Sequence, residues 1–200
     1  MHISRIRGRP PQEATFLFVG LDANYEAEVE HRPIFPRILE YHDDGVAFWR
    51  RYRVHHLFML PQYLGDGRFY HYSFSRIGFS LEHAHRVSFI ELLHVPTVGR
   101  SQLDSGDLSE PHLIWLNEIL LGGPANHIFV PRGVARLMHA SKIFEWLSKS
   151  PVENVGPLGV LYRHGSKHVY SHCHLSVWGK YQKRKDNEAA AIRVLADKVG

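Results

Sequence analysis

The feature that most constrains this chain is Thr15-Phe16-Leu17-Phe18-Val19-Gly20-Leu21-Asp22-Ala23-Asn24-Tyr25, an apolar run that ends on a glycine and then delivers a carboxylate, an amide and a phenol. The five residues before Gly20 are β-branched or bulky and have no helical period. They read as a strand buried on both faces, as at the centre of a parallel sheet. Open α/β sheets bind ligands beyond the carboxyl ends of their strands, so Asp22 stands where a reacting group would be. Asp22 and Asn24 equally suit the N-cap of a following helix.

Three further strand candidates follow, at Val87–Leu93, His127–Pro131 and Lys167–His172. Helix-compatible stretches separate them, at Val46–Tyr52, Pro111–Leu121 and Gly133–Leu147, and a closing helix is predicted over Asp186–Val199. The second of these has proline near its first turn and Gly122-Gly123 past its end, the usual start and stop asymmetry. Strands alternating with helices predict a layered α/β domain. With 200 residues, 44% of them hydrophobic, the chain reads as a single domain over 1–200 with a basic arm at 1–13. Cys173 is the one cysteine, which excludes an internal disulfide and four-cysteine metal or iron–sulfur sites and suits a reducing cytosol. No apolar segment approaches the length of a membrane span, so no membrane partner is expected. A net charge of +4 and 16 histidines point to a polyanionic partner.

In this order the motifs resemble the uracil-DNA glycosylase superfamily, from Phe16 to about Gln182. Gly20-Leu21-Asp22 resembles that superfamily's water-activating loop, and Phe35 falls where the family places the ring that stacks on the extracted base. Phe48-Trp49 is similar to a segment of the mismatch-specific branch, with Val46 and Ala47 in place of its asparagine and arginine. Leu92-Leu93-His94-Val95-Pro96-Thr97 resembles the end of the second strand, with His94 where some branches carry the asparagine that reads uracil. His174-Leu175-Ser176 is similar to the histidine-proline-serine motif that opens the DNA-intercalating loop, with leucine for proline. Ala23-Asn24-Tyr25 is one residue longer than the proline-tyrosine of the uracil-specific branch. Together with His94, whose ring cannot copy an amide's paired donor and acceptor, this implies altered base selectivity.

The resemblance implies a three-layer α/β/α sandwich with a short, mainly parallel four-stranded sheet in the order 2-1-3-4. It implies a monofunctional DNA glycosylase of base excision repair that removes uracil and other damaged bases. Asp22 and His174 would be catalytic. Gly20, Leu21, Asn24, Tyr25, Phe35, His94 and Ser176 would bind substrate, and Val177, Trp178, Lys180, Lys183, Arg184 and Lys185 would contact single- or double-stranded DNA. No cofactor or metal is implied; a cytoplasmic, nucleoid-associated monomer is expected.

These roles agree with the chemistry of the bond. A base is flipped into a pocket with an aromatic face and polar edge contacts. As the N-glycosidic bond breaks, the sugar becomes cationic and the base anionic, so a carboxylate and a hydrogen-bond donor both stabilise the separating charges. Each residue also has a plainer reading: Phe35 and Trp178 as core, His94 as a strand-end cap, Cys173 as packing, and the basic run as solvated surface. Two other functions use the same residues. One is a non-catalytic module that binds uracil-containing or single-stranded DNA; the other is a metal-dependent hydrolase built on Asp22, His172 and His174.

Overall fold

The computed structural model describes residues 7–8, 10–65, 67–97 and 104–198. Its centre is β2 (Phe16–Gly20), whose first four residues are buried. Their side chains alternate between two cores, as the pleat requires. Leu17 and Val19 join Leu113, Leu116, Val134 and Met138 on one face, while Phe16 and Phe18 join Trp49, Phe74, Phe89 and Ile192 on the other. The expectation of a strand buried on both sides is met.

Parallel pairing joins β2 to β3 (Val87–Glu91) and β4 (His127–Pro131), and joins β4 to β7 (Lys167–His172). These are the four expected strands in the expected order, 2-1-3-4. The sheet is larger than four strands, however, and mixed: its order is β1-β3-β2-β4-β7-β6-β5. Arg7–Gly8 of the expected basic arm form β1, antiparallel to β3. At the other edge β5 (Glu153–Val155) and β6 (Leu158–His164) add an antiparallel hairpin to β7.

Helices cover both faces. α4 (Glu110–Gly122) and α5 (Arg132–Ala140) line one core. α2 (Gly45–Tyr52), α3 (Arg68–Ser75) and α6 (Gln182–Asp197) line the other. α4 starts and stops as its proline and glycines predict; at Gly123 a Cβ would lie 2.4 Å from the Ile119 carbonyl oxygen that its own N–H caps. α5 ends seven residues earlier than the expected Leu147. The Ser141 hydroxyl bonds the Met138 carbonyl at 2.6 Å and Lys142 turns left-handed at φ 60°, which breaks the helix and folds Phe144 and Leu147 into the core. α1 (Phe35–Asp43) takes Pro36 in its first turn, where a proline is tolerated. With Tyr25, Phe48, Phe58 and Tyr63 it builds a third cluster beyond the carboxyl end of β2. No helix among the described residues is long and apolar enough to cross a membrane.

Candidate functional site

The carboxyl ends of β2, β3, β4 and β7 share one edge of the sheet, where an open α/β fold binds ligands. β2 and β7 are separated by β4, which sets their exits about 10 Å apart, two strand spacings.

The β2 exit is tightly tied. Asp22 caps no helix, because among the described residues no α-helix begins before Phe35. Its carboxylate instead binds the segment after β3: Oδ1 accepts from the Thr97 N–H at 2.9 Å, and Oδ2 accepts the Thr97 hydroxyl. The Thr97 carbonyl in turn accepts from the Tyr25 N–H at 2.9 Å. Tyr25 is buried, and its hydroxyl meets His42 Nε2 at 2.7 Å. Between them Asn24 holds a left-handed backbone, φ 42°, with a buried Oδ1 that has no hydrogen-bond partner. Phe35 is half-buried against the same cluster, at the first position of α1. Leu21 packs against the core on the α4–α5 side.

Gly20 is explained by a residue that sequence reasoning missed. A Cβ there would lie 2.0 Å from Glu91 Oε2, so the last residue of β3 lays its carboxylate across the β2 terminus. Burial, reinforced by the Glu91 charge, raises the Tyr70 hydroxyl well above the ordinary tyrosine pKa. Tyr70, on α3, in turn sets its ring 5.2 Å from that of His174. Glu91 and Tyr70 therefore bridge the β2–β3 side of the edge to the β7 side. His94 lies further out, exposed, with its ring 6.2 Å from that of His112.

The β7 exit is built differently. His174 is exposed, yet crowding by neighbouring atoms lowers its pKa and favours the neutral ring. The Ser176 N–H donates to His174 Nδ1 at 3.3 Å, which leaves the proton on Nε2 and makes that atom a donor. His174, Ser176, Val177, Trp178 and Tyr181 line an open recess of about 360 Å³. Trp178 is 83% exposed, which removes its reading as a core tryptophan.

Beneath this loop α6 clamps the chain on both sides of His174. Glu188, 2% exposed, accepts from the Cys173 N–H at 2.5 Å, from Arg132 at 2.8 Å and from Arg184 at 3.1 Å. Burial pushes its carboxyl up, but the hydrogen bonds from Arg132 and the Cys173 N–H, with the arginine charges, outweigh that and hold it below the usual range. Lys185 donates to the Leu175 carbonyl at 3.4 Å and to the Ser73 hydroxyl at 3.0 Å. At 6% exposure Lys185 cannot belong to the expected phosphate-contacting stripe, and its role is corrected to that of an internal tie. Lys180, Lys183 and Arg184 remain exposed, with Arg184 paired to Glu188. Burial raises the Cys173 thiol pKa, which fits packing and not nucleophilic chemistry.

His172 is 1% exposed, and burial holds its pKa at about 4. Its Nδ1 donates to the Cys173 carbonyl at 2.6 Å. Among the described residues no three His, Cys, Asp or Glu side chains converge in a way that could hold a metal ion. The Asp22, His172 and His174 ligand set is therefore not assembled. Comparison of the chain with protein-family models, with curated protein sequences and with solved structures returned no match.

Proposed function

We propose that this protein is a monofunctional DNA glycosylase that hydrolyses the N-glycosidic bond of uracil, and of other altered bases, in DNA. The observation that carries the reading is the loop beyond β7, which sets a neutral, donor-competent His174 beside an uncovered Trp178 on the sheet edge that also bears Asp22. In this reading the indole takes the space of the flipped nucleotide and the recess receives the strand. His174 Nε2–H donates to the leaving base as its oxygen gains charge, and Asp22 stabilises the cationic sugar and orients water beneath it. Asn24 supplies an acceptor for an N–H on the base edge, and Phe35 backs the pocket wall.

A second reading, a binding module without turnover, is favoured by one specific feature. Both carboxylate oxygens of Asp22 already accept from Thr97, so the group is engaged before substrate arrives. One experiment separates the two. Purified protein in chelator is incubated with labelled DNA carrying uracil or, as a control, thymine, and abasic sites are then cleaved with alkali. Uracil-dependent breaks are expected; binding without breaks establishes the module, and neither binding nor breaks removes both readings.

A further inference from the structure

We infer that Tyr70, on α3, is the positioning residue of His174: its ring backs the imidazole from inside the protein and fixes the direction in which Nε2 points. This role rests on the reading of His174 as the donor to the leaving base, and it adds the residue by which that donor is aimed.

The loop beyond β7 does not aim the ring by itself. Among the described residues, the hydrogen bond that reaches the His174 side chain is the 3.3 Å contact from the Ser176 N–H to Nδ1. That bond selects the tautomer, but it is long, and the torsion that turns a histidine ring is broad. Glu188 and Lys185 grip the Cys173 N–H and the Leu175 carbonyl, which are backbone groups on either side of His174. They fix where the side chain starts and leave its torsions open.

Tyr70 supplies the missing constraint. Its ring centroid lies 5.2 Å from that of His174 with the planes 52° apart, the separation of a packed aromatic pair. His174 lines the recess and Tyr70 does not, so the imidazole has the recess before it and Tyr70 behind it. Tyr70 and Ser73 are three apart on α3 and share one helix face. That face meets the β7 exit twice, through Tyr70 on the His174 ring and through Ser73, by way of Lys185, on the Leu175 carbonyl. One residue on from Tyr70, His71 turns into the interior and anchors the helix there. Its Nδ1 meets His55 Nε2 at 3.1 Å, and its ring stacks 3.6 Å from that of His56. A side chain carried on a helix held at both places is a fixed support for its neighbour. The titratable groups around His174 are Tyr70 with Glu91 near it, His172 on β7, and Glu188 and Lys185 on α6. Of these, Tyr70 is the ring packed on the imidazole itself.

The test compares Tyr70→Phe, which keeps the ring, with Tyr70→Leu and Tyr70→Ala, which remove it. Without DNA, the His174 imidazole is titrated by NMR, its signals assigned by their loss in His174→Gln. Crowding holds its pKa below 6.5 in the wild type, so removal of the ring should move the titration up toward 6.5, and Tyr70→Phe should leave it in place. On uracil-containing DNA, removal of the ring should lower kcat by about tenfold to a hundredfold with KM nearly unchanged, and Tyr70→Phe should restore it. The unfolding midpoint is measured for each variant, and Tyr70→Leu, which refills the space, carries both readings where Tyr70→Ala does not fold. A titration and a kcat that Tyr70→Leu leaves unchanged overturn the inference. So does a Tyr70→Phe that behaves like Tyr70→Leu, which gives the role to the hydroxyl. A shifted titration in Tyr70→Leu, with no base release by the wild type, keeps Tyr70 as the support of His174 and removes the glycosylase. Base release indifferent to Tyr70→Leu does the reverse.

Discussion

The exits of β2 and β7 leave the same edge of one sheet but solve opposite problems. At β2 the chain folds back under cover: Asp22 is fixed by Thr97, Tyr25 by Thr97 and His42, and Glu91 lies across Gly20. At β7 the loop projects outward, with Trp178 bare, while its root is gripped by Glu188 and Lys185 from α6. The first arrangement suits a pocket wall whose groups must not move when charge develops. The second suits a reader that must reach a large partner while keeping one side chain, His174, in place. Under the proposed glycosylase reading, the β2 side would hold the carboxylate of Asp22 beneath the sugar, while the β7 side would supply the DNA contact together with the donor, His174, to the leaving base, and this division can be broken at either end.

The largest expected effect is at β2. Asp22→Asn should lower single-turnover base release by about a hundredfold to a thousandfold, with DNA affinity nearly unchanged. Thr97→Val serves as its control, since it removes the hydroxyl bonded to Asp22 but keeps the N–H contact. If Asp22 serves only to hold Thr97, both variants lose stability and neither loses rate per folded molecule. A rate loss confined to Asp22→Asn keeps the carboxylate in the chemistry.

The next effect is at the root of the β7 loop. Glu188→Ala leaves the Cys173 N–H unpaired and two arginines without their partner. Because Arg132 and Arg184 are 36% and 55% exposed, water recovers part of that loss, and about 2 kcal/mol of stability is expected to disappear in denaturant unfolding. Glu188→Gln keeps an acceptor for Cys173 and should lose about half as much. Equal losses in the two variants would make the charge, and not the backbone contact, the important part of the clamp.

How far these two regions can be read from the sequence differs for physical reasons. β2 and β4 are short apolar runs with no helical period, and the bounds expected for β4, His127–Pro131, are the bounds observed. The four parallel strands follow from the alternation of apolar runs with helical stretches, and their order follows from the resemblance. Of the strands beyond those four, β1 has two residues and β5 has three, too few to show a pattern, whereas the seven-residue β6 is legible in the apolar run Leu158-Gly159-Val160-Leu161-Tyr162 yet lies outside the expected four-stranded sheet. α1 is hidden by Pro33 and Pro36, which read as loop although a proline fits the first turn. Lys185 and Glu188 are legible in principle. Together with the buried Ile192 and Ala196 they recur at helical spacings of three and four residues, so both lie on the inward stripe of α6. Charge composition draws the reading to the surface, where the pattern points to the interior. Glu91 also leaves a trace, as the one charged residue in Val87–Leu93. The Asp22–Thr97 tie leaves none, since it joins residues 75 apart.

Acid should expose the buried ring nitrogens of the β7 side and of the segment beneath α3. Burial alone holds His55 at about 3, and burial chiefly holds His172 at about 4, against 6.5 in the unfolded chain. Below pH 6.5 the unfolded chain binds more protons than the folded one, so stability is undiminished above that pH and falls as the pH drops toward 4. Each such histidine contributes a slope of at most about 1.4 kcal/mol per pH unit. His172→Gln, which can still donate to the Cys173 carbonyl, should flatten the decline between pH 6.5 and 4 in denaturant titrations. An unchanged slope would return the acid sensitivity to His55 and to His127, which burial, with a contribution from His168, also holds at about 4.

The smallest effect separates lysines that lie within one turn and a half of each other. Lys180 and Lys183 are exposed, so replacing both with alanine should weaken DNA binding without changing the unfolding midpoint. It should also reduce the salt dependence of the binding constant by about 0.7 to 0.9 for each phosphate no longer neutralised, because each neutralised phosphate releases its condensed counterion. Lys185→Ala should behave in the opposite way. Its amine is internal and holds the Leu175 carbonyl and the Ser73 hydroxyl, so the salt slope should stay constant while stability falls by about 1–2 kcal/mol as both hydrogen bonds disappear. Lys185→Met keeps the aliphatic packing and should recover part of the stability but not the grip on Leu175. A salt slope that drops in Lys185→Ala, or stays fixed in the double variant, would exchange the two roles and carry the polyanion to the other side of α6.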